Sequence, residues 1–168
     1  DLIVHEAGLL NFVLADLGVS SMQIDNPDRG FSLKVEGPLD LRLNPKSGKS
    51  AAAFLKTISE EELEEILIEN ADEPYAAYIA EAIAKSIKKG RLVETTAQLK
   101  DIIKETLDFL PANDKIDRIK KSCQRTFQAL RIAVNDEFGV LDKFLEKLPD
   151  ALVSGGKVAI ISFHSGED

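Results

Sequence analysis

Phe12-Val13-Leu14 is apolar without alternation and runs into Asp16, Gly18, Ser20 and Ser21. An unbroken apolar run of this kind predicts a parallel strand covered on both faces by helices, with Asp16 at its carboxyl end. In open α/β sheets that edge is where ligands bind. The small residues after it let a ligand approach the backbone and offer hydroxyls. A second run, Lys157 to Phe163, follows the Gly155-Gly156 turn and carries His164, Ser165, Glu167 and Asp168 to its own carboxyl end. Two parallel strands joined by helices present both polar sets at one edge of one sheet.

The stretch between the strands changes period twice. From Asp25 to Lys49, turn signals at Asn26-Pro27, Gly37-Pro38 and Asn44-Pro45 exclude a long regular element. Phe31, Leu33, Leu39, Leu41 and Leu43 anchor what is therefore an ordered loop. From Ser50 the spacing becomes helical. Ser59 with Glu62 forms a capping box ahead of Leu63, Ile66 and Leu67. Pro74 suits a first helical position, and Tyr75, Tyr78, Ile79, Ala82, Ile83 and Ile87 repeat at three and four up to Gly90. Thr95 with Gln98 opens a third helix, whose Leu99, Ile102, Ile103 and Leu107 face inward before Pro111. A last, long stripe from Phe127 to Leu148 crosses Gly139, where a kink or break is expected, and stops at Pro149. The division expected is a first part over 1–49, a helical domain over 50–120 and a second part over 121–168.

Composition adds bounds. The 168 residues suffice for one core with a modest insertion, and 44% hydrophobic with 30% charged residues describe an ordinary globular protein. Two strands are too few for a stable doubly wound sheet, so the chain reads as part of a larger protein. The single cysteine, Cys123, makes no internal disulfide and lacks His or Cys at ligand spacing, so no metal is expected. No run reaches the length of a membrane span, and the first residues lack a signal peptide's basic start. A cytosolic or organelle-matrix setting is the default. A formal net charge of −8 argues against nucleic-acid binding through bulk charge, though not through a local basic face. Lys85, Lys88, Lys89 and Arg91 make one such cluster, and Lys115 to Arg131 another. Both also fit solvated helix ends. Arg125 and Arg131, six apart, point to different faces of a helix, so at most one meets RNA while the other pairs with an acid such as Asp40 or Glu137.

Five blocks, in order, resemble the MraW/RsmH family: Asp16-Leu-Gly-Val-Ser-Ser-Met-Gln23; Arg29-Gly-Phe-Ser32; Gly37-Pro-Leu-Asp-Leu-Arg42; Arg125-Thr-Phe-Gln-Ala-Leu-Arg-Ile132 with Val134-Asn-Asp-Glu137; and Gly155-Gly-Lys-Val with Ile161-Ser-Phe-His-Ser165. The resemblance implies an α/β fold, part of a Rossmann-like methyltransferase sheet with an inserted helical domain. It also implies S-adenosyl-L-methionine as cofactor and the N4 amine of a cytidine in small-subunit (16S) ribosomal RNA as target. By position, Asp16 and Gln23 fall on family residues that contact the cofactor. The family's glycine-rich first loop and the strands that complete its sheet have no counterpart here, so the isolated chain is expected to be inactive. Lys121-Ser122-Cys123 and Gly166 depart from the family pattern. The first puts the approach to the helix after it in doubt; the second loosens the turn after the last strand.

An exocyclic amine whose lone pair is delocalised must be aligned with the methyl donor and its protons held by acceptors. Ser20, Ser21 and His164 are the candidates for that catalytic role. Lys88, Lys89, Arg91 and Arg125 are the candidate contacts to RNA. Plainer readings stand beside these: Asp16 as the cap of a turn, and His164 as a hydrogen-bonded structural histidine. The alternative function is a catalytically incomplete chain serving as a helical RNA- or protein-interaction module. A homodimer is left open.

Overall fold

The computed structural model describes residues 8–163. They form two compact units. One is continuous, 20–135; the other is built from the chain segments on either side, described over 8–19 and 136–163.

The continuous unit contains α1 (Ser21–Asp25), a 3-10 turn (Pro27–Arg29), α2 (Ala51–Leu55), α3 (Glu60–Glu69), α4 (Ala76–Lys88), α5 (Thr96–Thr106) and α6 (Lys115–Asn135). Local chemistry sets the helix starts. The Ser59 hydroxyl accepts from Glu62 N–H at 3.2 Å while the Glu62 carboxylate accepts from Ser59 N–H at 3.1 Å. Thr95 and Gln98 repeat the exchange at 3.2 and 3.0 Å. Both boxes satisfy backbone donors that a helix start leaves bare. Pro74 precedes α4 rather than opening it: Tyr75 is the cap residue and Ala76 the first helical one. The expected inward stripe of α5 is fully buried at Leu99, Ile102, Ile103 and Leu107, against Leu63 and Leu67 of α3, Ile79 and Ile83 of α4, and Phe127 and Leu130 of α6 in one core. Leu39 and Leu41 of the long loop enter the same core. The packed body is therefore wider at both ends than 50–120.

The loop is tied down by long-range bonds. The Arg29 guanidinium donates to the carbonyls of Arg42 and Leu43 at 2.7 and 2.9 Å and lies over the Phe31 ring at 5.8 Å. Gly30 adopts φ 72°, and a side chain there would meet Pro38 O. Asn135, the last residue of α6, donates to Leu41 O and Arg131 O at 2.7 and 2.8 Å and accepts from Leu43 N–H at 2.7 Å. These satisfy backbone groups that the irregular loop would otherwise bury bare. The Asp40 carboxylate accepts from Arg42 Nη2 at 2.7 Å and Nε at 2.8 Å. It is therefore Arg42, within the loop, that holds the acid offered as a partner for an α6 arginine. That side-chain bond holds Asp40 below its ordinary 3.8 against the opposing effect of burial, with the Arg42 backbone N–H assisting. A carboxyl depressed in the folded state adds stability present above pH 3.8 and lost as pH falls through the folded value. Asp40→Asn should therefore lower Tm near neutrality, and the gap to the unsubstituted protein should narrow as pH falls below 3.8. A gap independent of pH in thermal melts would contradict this.

The second unit holds β1 (Leu10–Asp16), α7 (Glu137–Ala151) and β2 (Leu152–Ile161). The strands are parallel, with Val13 opposite Val158 and Asp16 opposite Ile161. Leu10 pairs with Leu152 but Phe12 with Lys157, so 153–156, including the glycine pair, loops out within β2 rather than leading into it. Among the described residues, cover by helices on both faces is not found: Phe12 is 57% and Leu14 59% exposed, and no residue of α7 is buried. The physical reason is that two strands leave apolar faces that a single helix does not enclose. The long stripe is two helices, broken at Asp136, which has φ 49°, three residues before Gly139. Gly139 leaves room for the Asp136 carboxylate, which a side chain there would meet at 2.5 Å. Pro149 lies inside the final turn of α7, which runs on to Ala151.

Candidate cofactor and RNA sites

In the second unit, Asp16 ends β1 as expected. Pairing continues one step beyond it, Leu17 N–H donating to Ile161 O at 3.0 Å, so the ends of both strands share one edge. The Asp16 side chain is exposed and makes no ion pair or hydrogen bond among the described residues, leaving both carboxylate oxygens to accept from a ligand. Gly18 follows in a left-handed conformation, φ 98°. His164 lies outside the described residues.

In the continuous unit, Gln23 and Ser20 form a local pair at the start of α1. The Gln23 amide oxygen accepts from Ser20 N–H at 2.9 Å and from Ser20 Oγ at 3.3 Å. That fixes the amide so that its NH2 points away from the cap, with no acceptor among the described residues. Ser21, exposed, begins the helix. Ser20 thus has a structural partner already, whereas the Gln23 NH2 is available as a donor.

The basic candidates divide. Arg91 is bonded at both terminal nitrogens to the Glu105 carboxylate, at 2.8 and 3.2 Å. The bond raises the arginine and lowers the acid from their ordinary pKa values. Lys88 stands 3.9 Å from Glu60, and Lys89 is exposed without an ion pair among the described residues. Arg125, half-buried on α6, also has no ion pair among the described residues. On the outer face of the same helix, Arg118 pairs with Asp114 and Lys121 with Asp117 at 2.7 and 2.8 Å. Much of the positive charge on these helices is thus answered locally.

The Lys121-Ser122-Cys123 departure does not interrupt α6. Ser122 Oγ donates to Glu73 Oε1 at 2.8 Å in the core, and the helix runs through it. Burial pushes the Cys123 thiol up to about 11, so it is a neutral packing residue at physiological pH. No group of three or more His, Cys, Asp or Glu side chains among the described residues is arranged to hold a metal ion. No helix there is long and apolar enough to cross a membrane. The sequence reading held Lys120 in its second basic cluster but missed Lys100 and Lys104, which converge with it from α5 and α6 on one cleft. The signal was available in the four-residue spacings Lys100 to Lys104 and Ile116 to Lys120, each placing two residues on one helix face.

Residues 2–168 match the model of the MraW methylase family. A protein named ribosomal RNA small subunit methyltransferase H 2 from Alkaliphilus metalliredigens is 68% identical over 168 residues, all of this chain and 48% of the relative. One named ribosomal RNA small subunit methyltransferase H 1 from Lachnoclostridium phytofermentans is 62% identical over all of this chain and 46% of its own length. A more distant protein from Halorhodospira halophila, named ribosomal RNA small subunit methyltransferase H, is 45% identical across 99% of this chain and 50% of its own length. The chain spans about half the length of the curated relatives it matches. The match runs through both units and every block of the sequence singled out above, and the chain belongs to the MraW methylase family.

Proposed function

We propose that the protein carrying this chain transfers a methyl group from S-adenosyl-L-methionine to the N4 amine of a cytidine in small-subunit ribosomal RNA. The observation that carries the reading is the family match over nearly the whole chain, with a parallel strand pair whose edge bears Asp16, which has no partner among the described residues. The family name speaks for methyl transfer, and the relatives' names for the small-subunit RNA. In this reading a helical domain over 50–120 is inserted into a methyltransferase sheet, whose further helices would cover Phe12 and Leu14.

The residues fit the cofactor. A free carboxylate suits an ammonium or hydroxyl, and the free NH2 of Gln23 suits a carboxylate or ring nitrogen. The cofactor supplies an electrophilic methyl group on a sulfonium sulfur. Asp16 and Gln23 bind and orient; Ser20, Ser21 and His164 are the groups proposed to accept the protons of the target amine. Of these, Ser21 is the serine without a cap partner and is the stronger candidate. The target base is reachable only when single-stranded or flipped out of its stack. Lys88, Lys89 and Arg125 are proposed phosphate contacts, with Arg91 contributing least because Glu105 occupies it. The cytoplasm, where ribosomes are assembled, is the proposed setting.

The test incubates the full-length protein with small ribosomal subunits and methyl-labelled cofactor, then digests the RNA to nucleosides. Label in N4-methylcytidine is expected. Label in another nucleoside would change the target, and RNA binding without methyl transfer would favour the interaction-module reading.

A further inference from the structure

In the continuous unit, α5 and α6 enclose a cleft of about 380 Å³ with a side formed by Leu33 of the long loop. Lys100, Lys104 and Lys120 rim it, and Leu33, Ile116 and Ile119 supply an apolar lining over Cys123. Its charge is anomalous for a chain of net charge −8. Lys100 Nζ donates to the neutral carbonyl of Leu33 at 2.8 Å, which holds the ammonium in place without cancelling it. Lys104 reaches Asp101 only at 3.5 Å, and Lys120 has no ion pair among the described residues. Cys123 brings no compensating anion, because burial keeps its thiol protonated even with Lys100 and Lys104 nearby. At its mouth stands Ile116, 85% exposed, an isoleucine that the fold leaves in water.

We propose that this cleft holds one nucleotide of a single-stranded stretch of the RNA substrate, its phosphate on Lys100, Lys104 and Lys120 and its base against Ile116 and Leu33. The proposal deepens the reading of the substrate as ribosomal RNA and rests on it. Three incompletely answered ammonium groups call for an anion, and the apolar lining calls for a flat or aliphatic group attached to it. A nucleotide combines both. The volume is at the small end for a ligand cleft and has no room for a duplex, so the base must be splayed from its strand. Phosphate contacts of this kind position the substrate without reading its sequence.

The test measures binding of the full-length protein to a fluorescently labelled single-stranded oligoribonucleotide of about ten nucleotides, by anisotropy, across a salt series. Lys104→Ala with Lys120→Ala should weaken binding about tenfold at low salt and flatten the salt slope by about 1.4, the value for two phosphate contacts on a single strand. Both side chains are exposed, so Tm should hold; Lys100 is left in place because it ties the loop. Ile116→Ser should weaken binding several-fold at an unchanged slope, separating the base contact from the ionic one. An unchanged slope in the double variant would overturn the proposal, as would polyglutamate displacing the RNA as readily as unlabelled RNA does, which would mark an acidic-polypeptide site. Methyl transfer by the unsubstituted protein is measured separately. Its loss with the salt effect intact removes the enzymatic reading alone, whereas intact methyl transfer with an unchanged salt slope removes the cleft alone.

Discussion

Asp16→Ala in the full-length protein is expected to lower cofactor affinity about thirtyfold, corresponding to about 2 kcal/mol for a lost charged hydrogen bond, and to bring methyl transfer close to background. Its Tm should stay within about 2 °C of the unsubstituted protein, because an exposed side chain away from the core contributes little to stability. Asp16→Asn keeps the shape and removes the charge, so its cofactor affinity should fall between the two. Calorimetric titration with the cofactor and a thermal melt of each variant decide the matter. Full activity in Asp16→Ala would remove the residue from the site, and lost activity with a large fall in Tm would make its role structural.

Gly37→Ala is expected to destabilise the continuous unit by about 3 kcal/mol, roughly 15 °C in Tm for a unit of this size. A Cβ there would lie 2.0 Å from Pro27 O and 2.9 Å from Pro27 C, both backbone atoms that no rotamer change can move. Nor is Gly37 free to retreat. Its N–H donates to Thr96 Oγ1 at 3.2 Å and its carbonyl accepts from Thr96 N–H at 2.9 Å, pinning it to the start of α5. Thr96 is itself fully buried. Gly48→Ala is the comparison: φ is 76°, but nothing lies within 4 Å of the added carbon, so the cost is the left-handed backbone alone, about 1–2 kcal/mol. A loss in Gly37→Ala no larger than that in Gly48→Ala, measured by denaturant titration, would show that the backbone at Pro27 yields and that its close approach does not set the cost at Gly37.

The capping boxes at Ser59 and Thr95 were legible because each is a bargain struck within four residues of chain. So was the α5 stripe, since i, i+3 and i+4 positions share a face however the helix is packed. The parallel strands and the place of Asp16 at a carboxyl end were legible from apolar runs that stop at polar residues. The pairing of Arg91 with Glu105 and of Asp40 with Arg42 was not: an arginine in sequence carries the same charge whether or not an acid lies across from it. Near the RNA candidates, that difference separates a committed cation from an available one.

By itself the sequence determined the helix starts, the apolar faces, the strand pair and the order of blocks that marks the family, all local or sequential properties. Only the tertiary structure decided that the long loop belongs to the helical core, because Leu39 and Leu41 pack into it and Asn135 of α6 reaches the Leu41 carbonyl, far from it in the chain. It also decided that the last stripe breaks at Asp136, where Asn135 is committed to that loop, and that lysines of α5 and α6 meet over one cleft. Each of these depends on which surfaces pack together, and packing brings into contact residues whose separation along the chain carries no local signal.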